Sequence, residues 1–224
     1  MFSWLDPIIK LLDELLQVFF SVTGDWGFAI ILLTILIRSI LFATNLKTAR
    51  QQVKMARIQP LLSKIRENYA KDSALLFQKT SELYSKYGVK PVSFLWIALV
   101  QAPIFLSLYQ LFTSHGFFVS TAILPWIDSL HSPDPLHITP IVYAVVSLIA
   151  SCIPLTSEAV VASSMLQRAG FPMLISIIFL FVMWSAPVAI GLYWISNSIF
   201  TIVERGFYRT AWGKKLLYKE VTTI

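Results

Sequence analysis

Cysteine is almost missing from this sequence. Cys152 stands alone, so no internal disulfide and no thiolate metal cluster is available. The three histidines, His115, His131 and His137, fall in one inter-helix loop without a metal-ligand spacing, and they read as loop residues. Charge is scarce too: 13% of residues are charged, against 56% hydrophobic and a mean hydropathy of +0.70. No Asp or Glu is expected within a membrane span, which leaves an aspartyl intramembrane protease or a carboxylate proton relay without a candidate. His-Glu-x-x-His, Gly-x-Ser-x-Gly, a Walker loop and a dinucleotide fingerprint are all lacking. Enzyme chemistry has no foothold, and no metal or other cofactor is implied. A positive n-region is also missing. Residues 1–25 hold one lysine, Lys10, against Asp6, Asp13, Glu14 and Asp25, so no cleavable signal peptide is expected.

What is present is long, continuous apolar sequence. Its runs do not alternate, which excludes a barrel and leaves a polytopic helical membrane protein. Arg38 sits inside one such run, Trp26 to Leu46, with no acid in the segment. On a continuous helix its guanidinium lies roughly 18 Å below Trp26 and roughly 12 Å above Leu46. That is near the middle of a hydrocarbon layer ~30 Å thick. A charge there costs at least ~2.5–3.5 kcal/mol, so a bundle interior or a hydrated cavity is the favoured setting, with snorkelling to the head groups as the bland alternative.

The chain begins with what reads as a capping box, Ser3-Trp4-Leu5-Asp6, and an amphipathic helix over 1–24 lying in the membrane interface. A first span covers 25–46. Residues 47–90 carry ten Lys/Arg against three acids, a net of +7. Pro60 can open or kink one short helix there, with Leu61, Leu62 and Ile65 as its apolar stripe. Asp72 or Ser73 can cap a second helix, ended by Gly88 and Pro91. Further spans are expected at 91–112, 138–155, 171–184 and 187–204, the last two separated at Pro187. The 171–184 segment is short for a span and implies local thinning. Residues 113–137 form one loop, 156–170 another, and 205–224 a tail with five basic residues. The fold class expected is therefore all-α, with five transmembrane helices, an N-terminal interfacial helix and a helical hairpin.

The positive-inside rule places the hairpin and tail in the cytoplasm, and the N-terminus and the 113–137 loop outside, because those outer segments hold only Lys10. Five spans satisfy that parity. The basic tail suits anionic lipid head groups or ribosomal RNA.

Polar side chains recur four apart on several spans: Thr34 and Arg38; Tyr143, Ser147 and Ser151; Tyr193, Asn197 and Thr201; with Gln101 in the second span. Serines and threonines of this kind often bond their own backbone or glue helices together. Taken with Arg38, Gln101 and Asn197, they suggest a hydrated groove lined by one cation and neutral hydrogen-bonding groups.

The segment Pro187-Val-Ala-Ile-Gly191-Leu192-Tyr193-Trp194-Ile-Ser-Asn197 resembles the last-span signature of the YidC/Oxa/Alb membrane insertases. Gln101-Ala-Pro103-Ile104-Phe105-Leu-Ser-Leu-Tyr109 is similar to the family's second core span, and Arg38 to its groove arginine. The hairpin end Leu83-Tyr84-Ser-Lys-Tyr87-Gly88-Val-Lys90-Pro91 resembles the family's cytoplasmic loop, with Lys90 where asparagine is usual. Trp126-Ile-Asp128 and Ser132-Pro-Asp134-Pro also match. The resemblance, to the short bacterial form, implies a monomeric insertase with a groove open to cytoplasm and lipid and closed outside. It implies action alone or beside the Sec translocon on nascent membrane proteins delivered by the ribosome. Arg38, Gln101 and Trp194 would then contact substrate, with Thr34 and Tyr193 as lesser contacts. Lys54, Arg57, Lys64, Arg66 and Lys71 of the hairpin are the expected capture surface. Two other readings stay open at the level of sequence: a small-anion transporter or channel, and a Sec-dependent assembly chaperone.

Overall fold

The computed structural model describes residues 3–90, 93–114, 120–155 and 165–219, and all regular structure among them is helical. After a 3-10 turn at Ser3–Leu5 the helices are α1 (Asp6–Thr23), α2 (Trp26–Ile40), α3 (Phe42–Asn68), α4 (Ser73–Lys86), α5 (Ser93–Ser114), α6 (Ile138–Cys152), α7 (Met165–Trp184), α8 (Val188–Arg209) and α9 (Ala211–Tyr218). The chain divides into two compact units. One comprises Met1–Leu41, Leu99–Ile153 and Ala169–Val203; the other Phe42–Ala98, Pro154–Arg168 and Glu204–Ile224.

Several helix boundaries differ from the sequence reading, each for a local reason. Helix α1 starts at Asp6 with Leu5 at the N-cap and no side-chain cap, so the expected capping box does not set its start; Pro7 serves the first turn. The helix from Trp26 stops at Ile40, and residues 42–46, expected in the first span, begin α3 instead. Leu41 makes the break with its N–H bonded to the Ile37 and Ser39 carbonyls. Helix α3 runs 27 residues with Pro60 inside it, so Pro60 neither opens nor ends the helix, and the hairpin is one long helix and one short one. Helix α7 reaches back to Met165 and has 20 residues. At about 1.5 Å per residue it rises ~30 Å, longer than the expected 171–184 segment. Among the described residues no single helix passes as long and apolar enough to cross a membrane alone; α2 and α3 pass together as a broken pair.

In the first unit, Leu5 of the 3-10 turn and Ile9, Leu12 and Leu16 of α1 are buried in the same apolar cluster as Ala29, Ile30 and Leu33 of α2. Trp4 of the turn and Leu11, Val18 and Val22 of α1 are exposed. The cluster continues through Leu108, Leu111 and Phe112 of α5, Tyr143 of α6, and Ala189, Ile190 and Tyr193 of α8. Helices α6 and α8 approach closely at Gly191, where an added Cβ would stand 2.7 Å from Thr139 Cγ2.

In the second unit, α9 docks against α3 through a small cluster of Leu46, Ala49, Val53, Tyr208 and Leu217. The Arg50 guanidinium donates to the Leu216 carbonyl at 3.0 Å, and that of Arg57 lies 5.3 Å from the centre of the Tyr218 ring. Glu204, the last residue of the expected fifth span, is a buried acid. It accepts the Tyr208 hydroxyl at 2.8 Å. At Gly213 a Cβ would stand 2.0 Å from the Phe207 carbonyl oxygen, which is backbone and cannot step aside. Gly213→Ala is therefore expected to undock α9. Limited trypsinolysis should then cut at Lys214 and Lys215 at least tenfold faster than in the parent, a rate set by local opening of ~1.4 kcal/mol or more.

Candidate functional site

The polar groups of the first unit converge on the end of α2. Arg38 occupies the last turn of that helix, not the middle of a longer one. The partial negative charge of a helix C-terminus therefore lies within a turn of its guanidinium and contributes about 0.3–1 kcal/mol toward its cost. Its Nε donates to Asn197 Oδ1. Its Nη2 lies 3.4 Å from the Asn197 carbonyl oxygen and 3.2 Å from Thr201 Oγ1. The Phe200 ring centre lies 5.9 Å from its Cζ. Asn197 and Thr201 stand one turn apart on α8, so a single face of that helix presents three neutral acceptors to one cation.

A second polar contact joins α5 to α8: the Gln101 amide donates to the Tyr193 hydroxyl. Tyr193 is 1% exposed, so this oxygen is a buried link between helices and not a groove wall. Next to it Trp194 packs in an aromatic cluster, with ring centres 5.7 Å from Phe105, 5.9 Å from Tyr143 and 5.2 Å from Phe179. Its indole nitrogen is buried without a hydrogen-bond partner among the described residues.

The structure separates the sequence candidates. Arg38 and Asn197 come together, as do Gln101, Tyr193 and Trp194. Thr34 is fully buried, and its hydroxyl donates to the Ile30 carbonyl of its own helix at 2.8 Å. Ser151 likewise bonds the Ser147 carbonyl at 2.8 Å. Both show the self-bonding expected of small hydroxyl residues. Thr201 joins the arginine, and its position four residues after Asn197 is the signal that points to it. Phe105 and Phe179 are invisible in sequence because every apolar run holds such residues.

On the hairpin, Lys64, Arg66 and Lys71 are exposed, while Lys54 and Arg57 are half-buried and Arg57 is engaged by Tyr218. Asp72 caps α4 by accepting from the Leu75 N–H at 2.9 Å. The Lys90 N–H donates to Gln51 Oε1 at 2.9 Å, so α3 pins the hairpin end. Phe77 lies 77% exposed on α4.

The loop between α5 and α6 is fastened by two carboxylates. Asp25 caps α2 through the Phe28 N–H and also accepts from Thr121 Oγ1 and the Ala122 N–H, each at 2.7 Å. Asp134 is buried and accepts from Trp126 Nε1, the Leu136 N–H, and both the N–H and hydroxyl of Thr139. Burial pushes its carboxyl up, but these bonds outweigh burial and hold it below the usual carboxylate range. The same loop caps α8: the Val188 N–H donates to the Ser132 carbonyl at 3.0 Å and that of Ala189 to the Leu130 carbonyl at 2.9 Å. Of the loop histidines, His115 lies outside the described residues. His131 contacts the Phe112 carbonyl, and His137 stacks on Trp184 with ring centres 4.1 Å apart. No group of metal-ligating side chains is present among the described residues.

Residues 18–215 match the family model described as 60Kd inner membrane protein. The chain is 28% identical over 213 residues to the membrane protein insertase YidC of Legionella pneumophila (strain Corby), covering 95% of this chain and 37% of that protein. It is 31% identical over 214 residues to the membrane protein insertase YidC of Cupriavidus necator, with the same coverage of 95% and 37%. The chain thus spans a little over a third of the length of these relatives. Its fold is similar to that of an active YidC insertase crystal structure, with a TM-score of 0.68 at 23% identity over 92% of this chain and 47% of that one.

Proposed function

Because the chain belongs to the 60Kd inner membrane protein family, we propose that it inserts and helps fold integral membrane proteins through a polar groove within the bilayer. The observation that carries this reading is the Arg38–Asn197–Thr201 cluster: one cation engaged by neutral acceptors of α8 within an apolar helical unit. Such a site attracts an anionic segment without closing on it permanently. The proposed spans are α2, α5, α6, α7 and α8, with the N-terminus outside, the tail in the cytoplasm, and α1 lying in the outer interface on its exposed Trp4–Leu11–Val18 stripe. The basic hairpin, Lys64, Arg66 and Lys71 foremost, receives nascent chains at the ribosome. The burial of the substrate's own apolar helix in lipid then drives release at about 25 cal/mol per Å². A monomer working alone or beside the Sec translocon fits this arrangement.

The test is protease protection of a single-span, N-out substrate added to liposomes that contain only this purified protein. Protection well above that in empty liposomes is the expected result. Protection equal to empty liposomes would move the reading to a Sec-dependent chaperone. Selective anion flux without insertion would move it to a transporter.

The tail is proposed to rest on anionic lipid. Helix α9 follows α8 after a single residue, Thr210, and presents Trp212, 83% exposed, on the same face as Lys215 and Lys219. Tryptophan prefers the interface, and each lysine near an anionic surface contributes about 1 kcal/mol. Lipids brominated high in their acyl chains are expected to quench the intact protein more than its Trp212→Phe variant. Equal quenching of the two would place Trp212 away from the bilayer.

A further inference from the structure

Four helices each lend a ring to one layer. Trp194 of α8 stands at its centre, with ring centres 5.7 Å from Phe105 of α5, 5.9 Å from Tyr143 of α6 and 5.2 Å from Phe179 of α7. Tyr143 lies five residues after the start of α6, Phe179 five before the end of α7, and Trp194 six after the start of α8. At about 1.5 Å per residue these three share one depth, ~8–9 Å from the end of the helices that the α5–α6 loop caps. Polar ground lies on both sides of the layer. On the loop side, Asp134, Thr139, Met183, Val188 and Gly191 line a pocket of about 10 Å³, roughly the room that one water molecule needs. On the other side stand Asn197 and Thr201, bonded to Arg38. Gly191 to Asn197 is six residues, a rise of only ~9 Å.

Resting on the membrane-spanning reading above, we propose that Trp194 is the permeability seal of the helical unit: the ring layer that it centres stops protons and small ions from crossing between the Arg38 cluster and the loop end. A polar groove that reaches most of the way through a bilayer is a path for ions unless the remaining barrier is apolar and filled. Rings meet both needs. A hydrophobic constriction excludes ions by keeping water out. Here the rings meet Trp194 at interplanar angles of 64°, 65° and 55°, so they interlock edge to face and do not stack as parallel plates. The indole nitrogen of Trp194 is buried without a hydrogen-bond partner among the described residues, so packing and not bonding holds the ring. Phenylalanine there keeps a ring and gives up no bond. Alanine joins the pocket at Gly191 to the polar cluster at Asn197.

The experiment follows proton entry into liposomes that hold the full chain and a pH-sensitive dye, under an imposed potassium diffusion potential and with no substrate present. The parent is expected to match empty liposomes. Trp194→Ala is expected to admit protons at least about tenfold faster. Phe179→Ala opens the same layer from α7 and is expected to leak likewise, whereas Trp194→Phe stays near the parental rate. Leu16→Ala makes a cavity in the same apolar cluster but on α1, so it separates a seal from general loosening, and it is expected to stay tight. Tight vesicles with both Trp194→Ala and Phe179→Ala, a parent that leaks beyond empty liposomes, or equal leakage from Leu16→Ala would each overturn the seal. Protease protection of the single-span substrate, measured in the same vesicles, reads the other question. A parent that stays tight but inserts nothing, beside a leaking Trp194→Ala, overturns the insertase reading alone and leaves the seal standing.

Discussion

Replacing Arg38 by alanine is expected to cut insertion of a substrate with an acidic translocated tail about tenfold, and to change a neutral-tailed substrate less than twofold. The gross attraction for a 4 Å pair at an effective dielectric of 20 is about 4 kcal/mol. Desolvation of both charges subtracts from it, and a net of ~1–2 kcal/mol corresponds to roughly five- to thirtyfold. The loss falls on the acidic tail because Asn197 and Thr201, left behind on α8, still offer the neutral contacts that an amide-bearing tail uses. Arg38→Lys separates charge from geometry. Lysine supplies a point charge without the planar fork, so it is expected to recover part of the acidic preference. Equal protection of acidic-tail substrate by Arg38→Ala and the parent would remove Arg38 from the mechanism for that substrate.

Asp134→Ala is expected to be the most destabilising single change in the loop between α5 and α6, by about 3–5 kcal/mol. It strips the acceptor from the Thr139 N–H and hydroxyl at 2.7 Å each, from the Leu136 N–H at 2.9 Å and from the Trp126 indole at 3.3 Å. Thr139 also meets α8 at Gly191, and Ser132 and Leu130 of the same loop cap the start of α8, so the damage spreads to the N-terminus of the helix that carries Asn197. The melting temperature in detergent should fall by about 10 °C. Asp134→Asn, which keeps one acceptor oxygen, should fall in between. The pH dependence has a definite sign. Hydrogen bonds hold the folded carboxyl below its unfolded value of about 3.9, so its contribution is complete above that value. It is lost only as pH falls further, through the folded value. Parent protein should therefore melt similarly at pH 7 and pH 5 as far as this group is concerned. A melting temperature in Asp134→Ala equal to that of the parent would show that the loop is held by other means.

Much of this molecule was legible before any coordinates. The long apolar runs, the break at Pro187, the Asp72 cap and the basic stretch before Gly88 each follow from rules that act within a few residues: hydrophobic continuity, the missing N–H of proline, side-chain capping. Where local rules competed, sequence was a poorer guide. Nothing local marks Leu41 as the end of a helix, yet the chain breaks there and moves Arg38 from mid-helix to a last turn. Pro60, a local helix breaker, is carried inside α3, whose buried Leu46, Ala49, Val53, Ile58 and Leu62 hold the helix on either side of it.

For the site, the sequence by itself determined the cast: one cation in an apolar run and polar residues spaced four apart. Helical periodicity alone places Asn197 and Thr201 on one face. Only the tertiary structure decided which polar groups meet. It gave Thr34 and Ser151 to their own backbones, Tyr193 to Gln101, and Asn197 to Arg38. The reason is physical. A hydroxyl four residues from a carbonyl satisfies itself locally, whereas a guanidinium and a carboxamide need partners from another helix, and that choice depends on contacts far apart in sequence.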